Sequence, residues 1–168
     1  MIKLDGVLPF AEGGNRMCFV HPHNPNRCLK VIHPGILTKI RRSKPWYKQL
    51  RSTKSFDDNL REQNAYNQRA LKSNNPEIWN HLAKWYGMVE TNIGIASETE
   101  LIRNNGEIAE TLEEYLFRDG LTNEIKNAIE EFHIWLKEYL VLTKNLIPHN
   151  LVLTSQEGKL IIKIIDGL

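Results

Sequence analysis

Asn150 and Asp166 lie at matching ends of a C-terminal stretch that reads as a β-hairpin. Asn150 to Leu153 is a short apolar strand, Thr154 to Gly158 a polar turn ending in glycine, and Lys159 to Ile165 a second strand rich in isoleucine. In an antiparallel pair the start of one strand lies beside the end of the other, so an amide oxygen and a carboxylate converge at one edge. That donor set suits a hard cation such as Mg²⁺, whose octahedron phosphates and waters complete. A second pair lies early in the chain. Lys30 sits on a predicted strand, on the face of Cys28 and Ile32. Glu62 sits on a predicted helix, on the face of Tyr66 and Ala70. A strand lysine and a glutamate on the helix packed over it can form an ion pair, which holds the lysine ready for phosphate oxygens.

The elements that must position these side chains follow from local signals. Val7 to Phe10, Met17 to His21 and Arg27 to His33 read as three strands of a meander, joined by turns at Glu12 to Asn15 and His21 to Asn26. Pro34 to Lys54 reads as irregular and basic. Ser55, with Asp58 three residues on, predicts a helix start, and the helix runs to about Lys72. A short helix follows from Pro76 to about Trp85. Tyr86 to Thr91 and Ile95 to Ile102 read as two more strands. The expectation for residues 1–102 is thus an α+β unit, a five-stranded antiparallel sheet with one main helix inserted after the third strand. Arg103 to Gly106 is a break. Residues 103–168 are expected to be mostly helical apart from the hairpin. Thr111 opens a capping box with Glu114, and Thr122 caps a long helix whose apolar positions are Ile125, Ala128, Ile129, Phe132, Leu136, Tyr139 and Leu140.

Composition narrows the classes. The 168 residues are 41% hydrophobic and 25% charged, ordinary for a globular domain with a real core. No apolar run approaches the ~20 residues of a membrane helix. Met1 to Asp5 leads directly into structured sequence, which predicts no signal peptide and a cytoplasmic protein without membrane association. Cys18 and Cys28 fall on neighbouring predicted strands; a bridge is conceivable, but reduced thiols fit a cytoplasmic chain better.

Charge is unevenly spread. Met1 to Lys54 holds eleven Lys/Arg and two acids, and the remainder eleven basic and eighteen acidic residues. Lys39, Arg41, Arg42, Lys44, Lys48, Arg51 and Lys54 surround Trp46 and Tyr47. The first expectation for this run is a solvated loop, the second a docking site for an acidic protein partner; nucleic acid is the least favoured. The histidines form no zinc-finger spacing. There is no Walker loop, nucleophile elbow or dinucleotide fingerprint.

In order and spacing, Lys30, Glu62, Pro148-His149-Asn150 and Asp166-Gly167 resemble the protein-kinase family, in which a strand lysine pairs with a helix glutamate and a loop Asn and an Asp before Gly hold metal. More closely, the chain resembles the YrbL family, the PhoP regulatory network group of bacterial kinase-like proteins. The matching stretches are Arg16 to Pro22, Arg27 to Val31, Leu60-Arg61-Glu62, Tyr86 to Thr91 and Pro148 to Leu153. The resemblance implies a kinase-like N-lobe over 1–102 and a partial C-lobe over 103–168, ending just after the metal-binding Asp166. It implies ATP and Mg²⁺ as cofactors, with Gly13, Gly14, Lys30 and Glu62 on the nucleotide and Asn150 and Asp166 on the metal. Three departures stand out. Only Gly13-Gly14 represents the glycine loop. Asn145 occupies the position where protein kinases carry the catalytic Asp. The sequence ends two residues after Asp166. Together these imply a nucleotide-binding pseudokinase or weak kinase in bacterial signalling. The alternatives are an active kinase acting on a protein or small molecule, and an interaction module that binds no nucleotide.

Overall fold

The computed structural model of the chain describes residues 1–168. It is α+β and divides into two compact units, Met1–Ala65 with Trp85–Leu101, and Tyr66–Lys84 with Ile102–Leu168. The sequence places a boundary after Ile102; the second unit also takes in Tyr66–Lys84.

The first unit is built on a five-stranded antiparallel sheet. Its strands are β1 (Ala11–Glu12), β2 (Arg16–His21), β3 (Asn24–Ile32), β4 (Trp85–Thr91) and β5 (Gly94–Glu100), in the order β1-β2-β3-β5-β4. Alternation sorts the side chains. Phe19, Leu29, Val31 and Ala96 fall on one face and pack with Leu4. The N-terminal segment brings Leu4 there by pairing with the sheet edge, Ile2 N–H donating to Glu90 at 2.8 Å. Arg16, Cys18, Cys28, Lys30, Ser97 and Thr99 take the opposite face, with Cys18 opposite Lys30 and Lys30 opposite Ser97.

Between β3 and β4 the chain is more helical than its charge suggests. Residues 34–54, expected to be irregular, form α1 (Ile36–Ser43), α2 (Trp46–Gln49) and the start of a 3₁₀ turn over Thr53–Phe56. Ile36, Leu37 and Ile40 give α1 a half-buried apolar stripe, and Pro45 separates it from α2. The next helix, α3, runs only over Asp58–Tyr66. Asp57, not Ser55, opens it, its Oδ1 accepting from the Asn59 and Leu60 amides at 2.9 and 3.2 Å. Beyond it Gln68 is extended, and its side chain accepts from Leu142 N–H at 2.7 Å. Arg69–Lys72 then form a 3₁₀ turn where the α-helix is expected to continue to Lys72. The first strand also shifts, from the expected Val7 to Phe10 to β1, because Pro9 has no N–H for a ladder.

The second unit has a hydrocarbon core. Its helices are α4 (Leu112–Asp119) and α5 (Asn123–Glu138). Thr111 and Glu114 close a capping box at α4, and Thr122 Oγ1 accepts from Ile125 N–H at 3.2 Å at α5. A small hairpin of β6 (Arg103–Asn104) and β7 (Glu107–Ile108) precedes them. The hairpin near the C-terminus is β8 (Leu151–Gln156) with β9 (Lys159–Ile164). It is longer than the sequence suggests. Thr154 and Ser155 continue the strand, and the turn is only Glu157-Gly158, both at positive φ (51° and 79°), as a type I′ turn requires. Ile125, Ala128, Phe132 and Trp135 of α5 pack on Leu151, Leu153, Ile162 and Ile164 of the hairpin. Ile129 and Leu140, expected on the buried face, are 37% and 74% exposed. Leu140 has left the helix at φ 52°. Residues Pro76–Asn80 form a 3₁₀ turn, not a helix to Trp85, after which Leu82 bridges to Ile164.

Candidate functional site

In the first unit the strand lysine and the helix glutamate meet. Lys30 Nζ donates to Glu62 Oε1 at 2.5 Å, and only 5% and 7% of the two residues is exposed. Two residues that the sequence reading did not connect to this pair complete the arrangement. Arg16 Nη1, from β2, donates to Glu62 Oε2 at 3.1 Å and to Asn59 Oδ1 at 3.3 Å. Asn59, 1% exposed, donates from Nδ2 to the Lys30 carbonyl at 2.8 Å. Asn59 and Glu62 are three apart on α3 and so share its inner face. Asn59 thus pins the helix to the strand backbone, while Glu62 divides its two oxygens between two cations. Alternation places Arg16 on the face of Cys18 along β2, and Asn59 is one turn from Glu62, but neither local pattern says that they meet the Lys30–Glu62 pair.

Cys18 and Cys28 lie on this same face, and both are free thiols. The Cys18 thiol hydrogen-bonds Cys28 and, together with burial, pushes the Cys28 pKa well above its ordinary value. Gly13 and Gly14 form the exposed turn between β1 and β2. Gly13 N–H donates to the Arg16 carbonyl at 2.9 Å, and the His33 ring Nε2 lies 3.0 Å from the Gly13 carbonyl.

In the second unit Asn145, Asn150 and Gly167 are laced together. The amides of Lys144 and Asn145 donate to the Gly167 carbonyl at 2.8 and 3.0 Å. Asn150 Nδ2 donates to the Asn145 carbonyl at 2.8 Å, and Ile165 N–H donates to the Asn150 carbonyl at 3.0 Å. Asp166 Oδ1 accepts from Gly167 N–H at 2.8 Å. Asn150 does not open the strand; it ends a 3₁₀ turn over Pro148–Asn150 and is 7% exposed. Gly167 is at φ 90°, and a Cβ there would stand 2.3 Å from the Asn145 carbonyl oxygen and 2.9 Å from Asn150 Nδ2. No side chain fits, so glycine after Asp166 is a steric requirement. The exposed Asn145 side chain is an amide and accepts no proton as a carboxylate would.

The oxygen donors of Asn150 and Asp166 fit a hard cation by type. No group of three or more His, Cys, Asp or Glu converges anywhere in the chain. A cation at this pair therefore needs oxygens from a ligand or water to fill its shell, as Mg²⁺ held against phosphates does.

The family model of the PhoP regulatory network protein YrbL matches residues 2–168. The chain belongs to this YrbL family. It is also similar to the uncharacterized proteins YrbL of Escherichia coli (strain K12) and Shigella flexneri, 24% identical to each over 159 residues. Those matches cover 90% of this chain and 65% of each YrbL relative, so the chain spans less than two thirds of their length. No helix is long and apolar enough to cross a membrane.

Proposed function

We propose that this chain is a kinase-like regulatory protein of bacterial signalling that binds ATP with Mg²⁺ and turns it over slowly or not at all. The observation that carries this reading is the buried Lys30–Glu62 pair at 2.5 Å, strand to helix, in a five-stranded antiparallel sheet. Burying a charged pair is costly, and a fixed ammonium is suited to phosphate oxygens. On this reading residues 1–102 are a kinase-like N-lobe and residues 103–168 part of a C-lobe. Lys30 contacts phosphate, Glu62 and Asn59 position it, and the Gly13-Gly14 turn approaches the phosphates through its backbone. Asn150 and Asp166 hold Mg²⁺, which neutralises phosphate charge when bound. Asn145 supplies no general base, a loss of about 10²–10⁴-fold in rate.

A thermal-shift titration with ATP and Mg²⁺ tests this. A ligand at 100 times its Kd stabilises the folded state by about 2.7 kcal/mol. The expected result is a rise in Tm that requires Mg²⁺ and shrinks in Asp166→Ala. Brisk Mg²⁺-dependent ATP turnover, lost in Asp166→Ala, would replace the weak-turnover reading with an active kinase. A second reading rests on the near-complete burial of Lys30 and its engagement by Glu62. It makes the cluster a structural clamp in an interaction module, and a flat titration would establish it over the first.

A further inference from the structure

The α1–α2 elbow of the first unit exposes apolar side chains among cations. Trp46, Tyr47 and Leu50 are 76%, 54% and 81% exposed on or just after the single turn of α2. Trp46 and Leu50 are four apart and share a side. Lys39, Arg41, Arg42, Lys44, Lys48, Arg51 and Lys54 surround them, and no Asp or Glu occurs between Glu12 and Asp57. None of the seven cations has a carboxylate within ion-pair distance.

The surface is also held in shape. Gln49 Nε2 donates to the Lys44 carbonyl at 2.7 Å and to the Arg42 carbonyl at 3.3 Å, tying α2 back to the end of α1. The Trp46 and Tyr47 rings meet edge to face at 6.2 Å, and Lys48 Nζ stands 6.0 Å from the Tyr47 centroid. A pre-set platform loses little side-chain entropy on binding.

We infer that this elbow docks an acidic, amphipathic segment of a partner protein. Its apolar residues, spaced i and i+4, cover Trp46 and Leu50, and its carboxylates meet Arg42, Lys44, Lys48 and Arg51. Charge complementarity selects an anionic partner. Leu50 selects an apolar-bearing one, because an aliphatic side chain offers no stacking platform to a nucleobase. A lipid surface is disfavoured because the apolar stripe of α1 is half-buried within its own unit, leaving one turn to enter an interface.

The test measures binding of the whole chain to a fluorescent peptide of Glu and Asp carrying Phe and Leu at i, i+4. Comparison ligands are an equally acidic peptide without apolar residues, a single-stranded oligonucleotide, and phosphatidylglycerol vesicles. The amphipathic peptide is expected to bind at least about tenfold more tightly than the apolar-free one. Trp46→Ser with Leu50→Ser should weaken it by about tenfold or more, as should Lys44→Glu with Lys48→Glu, with Tm unchanged. Three results overturn the inference: equal affinity for both peptides, undiminished binding by the Trp46→Ser/Leu50→Ser variant, or no peptide binding. Tighter binding to the oligonucleotide or the vesicles overturns it in favour of that ligand.

Discussion

The two units bury different chemistry. In the first, Lys30, Asn59, Glu62, Thr91, Ser97, Glu98 and Thr99 are buried polar or charged groups beside the small apolar cluster of Phe19, Leu29, Val31 and Ala96. In the second, a larger core of Leu82, Ile125, Phe132, Trp135, Leu153, Ile162 and Ile164 is almost wholly hydrocarbon; its buried polar side chains are Asn150 and Thr154. Hydrocarbon burial stabilises through the area removed from water. A buried ion cluster does not: its desolvation cost rivals its Coulomb gain. The contrast sets a polar, charged interior holding Lys30, Asn59 and Glu62 against a hydrocarbon one, and the candidate cation ligands Asn150 and Asp166 belong to the unit with the hydrocarbon core.

Five variants sharpen or break that contrast. Glu62→Ala should have the largest effect, about 3–5 kcal/mol lost in denaturant melts, because Arg16 and Lys30 both lose this carboxylate. Lys30→Met should cost clearly less, since Arg16 still meets Glu62; equal costs would mean that the two cations do not share one acceptor. Leu153→Ala, at 1% exposure in the second core, should cost about 2–5 kcal/mol through its cavity while leaving any nucleotide-induced Tm shift intact. Loss of that shift would mean that packing of the hydrocarbon core and ligand binding are not independent.

Gly167→Ala should cost about 1–3 kcal/mol, because a left-handed backbone and a clash with the Asn145 carbonyl must both be relieved. Its signature is weakened hydrogen-exchange protection at Lys144 and Asn145, whose amides donate to Gly167. The smallest effect is acid sensitivity of the second unit. His81 Nδ1 donates to the Ile162 carbonyl at 2.7 Å and the ring packs near Phe132 and Trp135. Burial, with Lys163 nearby, lowers its pKa from 6.5 despite the opposing pull of Ile162 and Glu131. The unfolded chain therefore binds more protons than the folded one below about 6.5, so stability rises with pH across that window and falls on acidification. His81→Phe should flatten that slope; an unchanged slope would assign it elsewhere.

Much of this was legible locally. The capping residues Thr111 and Thr122 announce α4 and α5 because a cap is a contact within one turn. Alternation along β3 places Lys30 and Cys28 together and Leu29 and Val31 opposite, since the strand period is two. The presence of the C-terminal hairpin followed from its apolar strands and its glycine; its register did not, because Thr154 and Ser155 continue the strand and the turn shrinks to Glu157-Gly158. Charge misled the reading of residues 34–54, where the apolar spacing of Ile36, Leu37 and Ile40 outweighs the cations around it.

Sequence by itself thus determined the strand faces, the helix caps and the presence of the hairpin, all set by periodicity and nearest-neighbour chemistry; it offered the Lys30–Glu62 pair only as a contact that could form between residues 32 apart. Tertiary structure alone decided that Arg16 shares Glu62, that Asn59 locks α3 to β3, that Gln68 accepts from the Leu142 amide, and that Gly167 admits no side chain beside Asn145. Each depends on atoms far apart along the chain, whose approach is set by sheet register and packing and which no local pattern encodes.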